Sequence, residues 1–316
     1  MSFTVYSSAD VRALLDYDGC IAAMREAMMA FTASAIPQPL RSITTLVPGK
    51  MFALMPGALT DHQGFGAKVI TAYQDADRPG RSAHRGVVVL FDHESGEVAC
   101  VADAGEVTHI RTACATAMAT DILARPDAAH LTIYGCGAQA ASHIRALSRV
   151  RRLDRVVVWG RSHDGASDFA GKMADETGLD VIAEADGAVA AKHADIICTV
   201  TGSATPVLLG EWVKAGTHVN AVGSSHAGPV EVDTPLVLAS RYIADSRVSA
   251  EAAAAELIVA REAGVLTNAH IAAEIGEVLL GKAPGRTSPE EITFYKSLGH
   301  VVQDLAAARY LHRRGH

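Results

Sequence analysis

The stretch His130-Leu131-Thr132-Ile133-Tyr134-Gly135-Cys136-Gly137-Ala138-Gln139-Ala140 decides how this chain of 316 residues is read. A short apolar run of β-favouring residues enters a Gly-x-Gly-x-x-Ala turn, and Ala141 to Leu147 suit a helix. Such a turn presents the open N-terminus of a helix to a dinucleotide pyrophosphate. Gly135 permits the tight turn, Gly137 lets the backbone approach phosphate, and Ala140 keeps helix and sheet close. A lone glycine pattern is weak evidence; a strand before it and a helix after it make it count.

Working downstream, apolar strand candidates recur at Arg155–Trp159, Asp180–Ile182, Ile196–Val200, Thr217–Val222 and Tyr242–Ala244, with helical patterns between most of them. Alternation of this kind predicts a Rossmann-type, doubly wound parallel sheet over residues 121–300. Ser249 to Glu277 reads as largely helical, and Asp304 to Leu311 as a terminal helix. Upstream, Ser8-Ala9-Asp10 can cap a helix, and Asp16 to Ala33 carries Ile21, Met24, Met28 and Phe31 on one helical face. Strand-like pieces follow at Leu40–Ile43, Lys50–Met55 and Gly66–Ile70. Val87–Phe91 and Val98–Val101 form a hairpin around Asp92 to Glu97, and Ala104 to Ala124 is alanine-rich and helical. Residues 1–120 are expected to form a smaller α/β domain.

Composition narrows the function classes. A formal charge of −7 argues against general nucleic-acid affinity but leaves room for a small anionic ligand held by local cations. The five cysteines, Cys20, Cys100, Cys114, Cys136 and Cys198, show no CxxC pair and no zinc spacing. They read as small core residues of a reducing compartment, Cys136 included, since it lies inside the glycine turn. The N-terminus lacks a basic leader and no segment reaches membrane-spanning length, so a soluble, cytoplasmic protein is expected.

The next strand makes a second demand. A dinucleotide site selective for NAD usually carries an acidic residue about 20 residues after the glycines. Here Val158-Trp159-Gly160 runs into Arg161 and Ser162, a pair better suited to a 2′-phosphate, with stacking on adenine or simple solvation as competing readings. Asp164 remains near enough to reach a ribose. The cofactor is therefore NAD(P)H, leaning to NADPH. Thr199 and Thr201, then Val222 and Gly223 followed by Ser224, Ser225 and His226, follow two later strands. In open α/β sheets those strand ends gather ligands, so these tips are expected to flank the nicotinamide. In the N-terminal half, Arg41, Lys68, His84, Arg85 and Arg111 are cations near or within apolar runs. Arg41, Lys68 and Arg85 can each be outward strand residues; together the cations suit a carboxylate.

The chain resembles the ornithine cyclodeaminase/mu-crystallin family along nearly its whole length. The likeness runs through Gly64-Phe65-Gly66-Ala67-Lys68, Gly86 to Asp92, Ile110-Arg111-Thr112-Ala113, Gly135 to Ala140, Val219-Asn220-Ala221-Val222-Gly223, Ser297-Leu298-Gly299 and Asp304 to Ala308. The resemblance implies a Rossmann domain joined to a substrate-binding domain that residues 301–316 complete and that forms a homodimer. It implies carboxylate recognition by Arg41, Lys68 and Arg111, and phosphate contacts from Thr112 and from Gly135, Gly137, Ala138 and Gln139. Lys296 approaches the site if the tail folds back as in the family; the competing reading is a solvated lysine.

One departure bears on the reaction. Cyclodeaminase-like members carry an aspartate in the loop after the Asn-Ala-Val-Gly strand, where this chain has Ser225. A neutral hydroxyl is a poor base for amine chemistry, whereas reducing a preformed imine needs only an electrophilic C=N, a hydride and an oriented carboxylate. Glu231 and Asp233 follow closely and leave a shifted carboxylate open. The expected function is reduction of a small α-imino acid, either a cyclic ketimine such as pyrroline-2-carboxylate or an acyclic imine such as iminosuccinate. Lys68, Ser225 and His226 are the expected catalytic residues, with His226 protonating or polarising the imine nitrogen. An ornithine cyclodeaminase or alanine-type dehydrogenase, and a non-catalytic NADPH- or small-ligand-binding protein, are the alternatives. Natural substrate and stereochemistry are not legible.

Overall fold

The computed structural model describes residues 3–34, 36–47, 50–60, 62–73 and 84–316. The chain divides into two compact units, one of residues 1–112 with 300–316 and one of residues 113–299. The sequence places the break near residue 120.

The first unit contains β1 (Thr4–Tyr6), α1 (Ser8–Leu14), α2 (Tyr17–Ala33), β2 (Ser42–Val47), β3 (Lys50–Ala58), β4 (Phe65–Tyr73), β5 (His84–Phe91) and β6 (Val98–Asp103). Next comes α3 (Ala104–Leu123), whose residues are divided between the units at Thr112 and Ala113. The six strands order as β1-β6-β5-β4-β3-β2, antiparallel except that β1 pairs parallel with β6. Period-two alternation in β4 and β5 sends Lys68, Ile70, Val88 and Leu90 to a buried face. The last helix of the chain, α11 (Val301–Arg314), lies against β3 to β6 and against α2. The other face keeps large apolar side chains in the open: Val5 is 65%, Phe65 40% and Val87 37% exposed, and Phe65 stacks on Phe91 at 5.3 Å. Arg41 precedes β2 instead of lying within a strand, because the strand begins at Ser42.

The second unit alternates as foreseen: β7 (His130–Tyr134), α4 (Ala138–Val150), β8 (Arg155–Trp159), α5 (His163–Thr177), β9 (Val181–Ala183), α6 (Gly187–Lys192), β10 (Ile196–Thr199), β11 (His218–Ala221), α7 (Thr234–Ala239) and β12 (Ser240–Ala244). It ends with α8 (Arg247–Ala253), α9 (Ala255–Glu262), β13 (Ile271–Glu274), α10 (Ile275–Leu279) and β14 (Ile292–Lys296). Two strands correct the sequence reading. β13 interrupts the region expected to be helical, and β14 fills the place between β11 and β12. All eight strands are parallel, in the order β13-β12-β14-β11-β10-β7-β8-β9. The chain builds outward from β7 to β9 and then returns to β10 on the other side of β7. That reversal makes the carboxyl ends of β7 and β10 the topological switch point, where open α/β sheets bind ligands. Among the described residues no helix is long and apolar enough to cross a membrane.

Candidate active site

Two groups of residues carry the chemistry, one in each unit. In the first unit the buried cluster is built on Asp304 of α11, a fully buried carboxylate. Arg111 Nε donates to its Oδ1 at 2.8 Å, and Lys68 Nζ donates to the same oxygen at 3.3 Å. Arg111 also donates through Nη1 to Gln303 Oε1 at 2.8 Å. Lys68 is only 3% exposed and Arg111 4%, so the solvated-strand reading of Lys68 does not hold. Burial pushes its ammonium down to about 8 against the pull of Asp304, with the charges of Arg111 and Arg41 adding to the fall. Burial works to raise the Asp304 carboxyl, but Arg111 and Lys68 outweigh it and hold it below its ordinary value. His300 caps α11, accepting from Val302 N at 3.3 Å, and burial pushes its imidazole down to about 4, so it stays neutral. Half-buried Arg41 acts on both Lys68 and His300 through its charge. Three cations with one carboxylate leave a positive excess, which favours binding of a substrate carboxylate. Arg85 is exposed on β5, and the side chain of His84 lies outside the described part.

In the second unit the glycine turn fits a pyrophosphate. Gly135 has φ +129°, and a Cβ there would lie 3.0 Å from Val200 Cγ2. Gly137 caps α4 with no side-chain hydrogen bond, and a Cβ on it would meet nothing within 4 Å. The space over Gly137 lets a phosphate approach the N-terminus of α4. Ala138 is exposed, Gln139 half-buried and Ala140 fully buried. Burial raises the Cys136 thiol, which fits packing and not nucleophilic attack. Gly137→Val is expected to fold normally yet abolish dinucleotide binding, because the side chain occupies the phosphate's place. Gly135→Val is expected to disturb the fold itself, because φ +129° and the Val200 contact both reject a side chain. Thermal melts paired with cofactor titration check both; a Gly137→Val protein that still binds would remove the turn from the site.

After β8, Arg161 is exposed and Ser162 caps α5, accepting from Gly165 N at 3.3 Å. Thr199 ends β10 with its hydroxyl donated to Glu231 Oε2 at 2.9 Å, and Thr201 gives both N–H and hydroxyl to Glu231 Oε1. Val222 is buried and Gly223 half-buried, their N–H groups donating to Thr199 O at 3.0 and 3.1 Å. Ser225 is half-buried and His226 exposed on the loop beyond them. Lys296, read as solvated, is fully buried: it donates to Ser224 O at 2.6 Å, to Ser224 Oγ at 2.9 Å and to Glu256 Oε2 at 2.9 Å. It stands beneath the Ser224 loop with its three donors occupied. Neither of the carboxylates left open as a displaced base has a spare role. Glu231 is fully buried, and Asp233 caps α7 while also accepting from Gly210 N at 2.8 Å.

A sequence profile of the ornithine cyclodeaminase/mu-crystallin family matches residues 2–315. The chain belongs to that family. It is 31% identical over 312 residues to a Delta(1)-pyrroline-2-carboxylate reductase of Bacillus cereus, covering 98% of this chain and 96% of the relative. It is 33% identical over 278 residues to the mouse ketimine reductase mu-crystallin, covering 88% and 85%. The solved structure of Thermococcus litoralis Delta(1)-pyrroline-2-carboxylate reductase in complex with NADH and L-proline superposes with a TM-score of 0.94 at 26% identity, over 99% of this chain and 97% of that one. This family member is an oxidoreductase that uses a nicotinamide cofactor.

Three residues of the site were absent from the sequence reading. Asp304 stood only within a matched motif of the tail, Gln303 immediately preceded that motif, and Glu256 was one acidic residue in a helical stretch. Their signal is pairing with cations distant in sequence, which a single chain does not display.

Proposed function

We propose that the protein reduces a small cyclic α-imino acid of the pyrroline-2-carboxylate type to the corresponding amino acid, with NAD(P)H as reductant. The observation that carries this reading is the buried Arg111–Asp304–Lys68 cluster of the first unit, in a chain whose second unit carries an unobstructed dinucleotide turn. Arg41, Lys68 and Arg111 bind the substrate carboxylate and orient the C=N group. Lys68, with its proton affinity lowered to about 8, also supplies a proton at the imine nitrogen. When bound, the cofactor would supply hydride for the imine carbon. Gly135 to Gln139 would hold its phosphates, with Thr112 added as the family resemblance implies, Val222 and Gly223 would back its nicotinamide, and Ser225 and His226 would provide the polar edge. The serine at the position of the cyclodeaminase aspartate, with Glu231 and Asp233 both engaged, supports reduction over amine oxidation.

The test is a panel of freshly generated imino acids, cyclic and acyclic, with NADH and NADPH, followed by loss of nicotinamide absorbance. Pyrroline-2-carboxylate is expected to be turned over. Iminosuccinate as the only active compound would replace the cyclic substrate. Proline and ammonia formed from ornithine without net cofactor oxidation would overturn the reductase reading. Tight cofactor binding with no turnover would favour a binding protein.

The finer cofactor choice rests on Arg161 and Ser162, which stand where an acidic residue would hold a ribose diol. NADPH is the proposed reductant, and Arg161→Asp is expected to shift preference toward NADH by about tenfold or more, one charged hydrogen bond being worth roughly 1.5–3 kcal/mol. Unchanged KM values for both cofactors would return Arg161 to solvent. The apolar outer face of the β1–β6 sheet supports a homodimer in which that face meets a second copy, and sedimentation of the wild-type protein tests it.

A further inference from the structure

Glu231 is where the loops after β10 and β11 converge, although it lies beyond both. Its carboxylate is fully buried. Oε1 accepts from Thr201 N at 2.6 Å and Thr201 Oγ1 at 2.7 Å; Oε2 accepts from Thr199 Oγ1 at 2.9 Å and Ser224 N at 3.1 Å. Two of these donors are backbone N–H groups, which cannot turn round to accept a proton from a neutral acid. One carboxylate therefore ties the tip of β10 to the tip of β11. Gly223 leaves no slack between them, since a Cβ there would lie 2.1 Å from Thr201 O and 2.5 Å from Glu231 Oε1. Ser224 is gripped a second time from below by Lys296, itself paired with Glu256.

We propose that Glu231 is a positioning residue for the nicotinamide end of the cofactor, and that its charge biases the site toward the oxidised form. The inference rests on the reading that NAD(P)H binds over these strand ends. Loops tied together before binding need no ordering when the ring arrives, so affinity is gained for both redox forms. The charge acts on one form only. Burial raises the Glu231 carboxyl, and the bonds from Thr201 and Thr199 with the charge of Lys296 oppose that rise in favour of the ionised form; the oxidised nicotinamide ring is cationic and the reduced ring neutral. A glutamine in this place keeps the size but loses the charge, and turns an amide N–H2 toward donors.

The experiment measures binding of NADP⁺ and NADPH to the full chain by calorimetry, in the wild type and in Glu231→Gln, Thr199→Val and Thr199→Ser. Glu231→Gln is expected to weaken NADP⁺ at least tenfold and NADPH by a clearly smaller factor. Thr199→Val, which removes one strut but leaves the charge, is expected to weaken both forms by the same few-fold factor, and Thr199→Ser to restore wild-type binding. If Glu231→Gln does not fold, as circular dichroism would reveal, the two Thr199 variants decide the positioning role and Glu231→Ala, which also lacks the charge, decides the redox bias by the same comparison of NADP⁺ with NADPH. Equal weakening of both forms in Glu231→Gln, unchanged affinity in a folded Glu231→Gln, or equal binding by Thr199→Val and Thr199→Ser would each overturn the proposal. Failure of the unmutated protein to bind either form would instead overturn the cofactor reading beneath it.

Discussion

Asp304→Asn is expected to lower the unfolding free energy by about 3–5 kcal/mol near neutral pH, the range for removing one partner of a buried ion pair. The variant leaves the Lys68 ammonium and the Arg111 guanidinium, 4% exposed in both side chains, without the carboxylate that both face. The two cations respond differently to pH. Arg111 cannot shed its proton. Lys68 can, and it already sits at about 8 through burial first and the neighbouring cations second. Loss of Asp304 removes the influence that raises it, so its proton affinity falls further. Below that value the variant buries two uncompensated charges; above it, one. The deficit relative to wild type must therefore shrink as pH rises to about 8, where wild-type Lys68 also loses its proton, and stay level above it. The acid side behaves oppositely in the wild type. Asp304 is held below its ordinary value, so its contribution is present above that value and lost as pH falls through the lower one. Urea denaturation at a series of pH values measures both. An unchanged midpoint, or a deficit that widens toward alkaline pH, would mean that Asp304 is not what compensates these cations.

The parts of the fold legible in the sequence are those whose pattern is local. Arg155–Trp159 is an apolar run between polar turns, and it forms a strand over that same range because it is interior to the parallel sheet. β13 was hidden because Ile-Ala-Ala-Glu continues an alanine-rich pattern that suits a helix. Its extended form comes from pairing along β12 at the sheet edge, a long-range gain that overrides weak local preference. β14 carries Thr293 and Lys296 among apolar residues and so looks half-solvated. Both are fully buried, Thr293 bonding to His218 Nδ1 at 2.9 Å and Lys296 pairing with Glu256.

The same limit governs the site. Arg111 and Lys68 were visible as cations near or within apolar runs, which marks a charge in need of a partner. The partner's identity was not visible, because Asp304 stands at the far end of the chain, followed by Leu305 to Ala308, which read as ordinary core. Glu231 shows the converse case. Seen alone it is an acidic residue close to an expected catalytic loop and invites the reading of a displaced base. Its four donors assign it to holding the loop instead. Burial makes such groups informative in a structure, because an unpaired charge in the interior is too costly to persist.

Lys68→Met is expected to lower kcat/KM for the imino acid by roughly 30- to 3,000-fold, since losing a charged partner in a buried site costs about 2–5 kcal/mol. It should cost less stability than Asp304→Asn, because Asp304 keeps Arg111 at 2.8 Å and no charge is stranded. Wild-type kcat/KM, which reports groups of the free enzyme, should fall as pH rises through about 8, where Lys68 loses the proton it needs to bind carboxylate and to protonate the imine nitrogen. Lys68→Arg separates the two duties. A guanidinium keeps its charge across this range, so substrate binding should survive in part while proton supply is lost; kcat should drop more than KM rises, and the alkaline limb should move out of range. Cofactor affinity, measured alongside, should be unchanged in both variants, since Lys68 belongs to the substrate-holding set. An alkaline limb that persists unshifted in Lys68→Arg would assign that titration to another group and remove Lys68 as the proton source, leaving the carboxylate contact to be judged from KM alone.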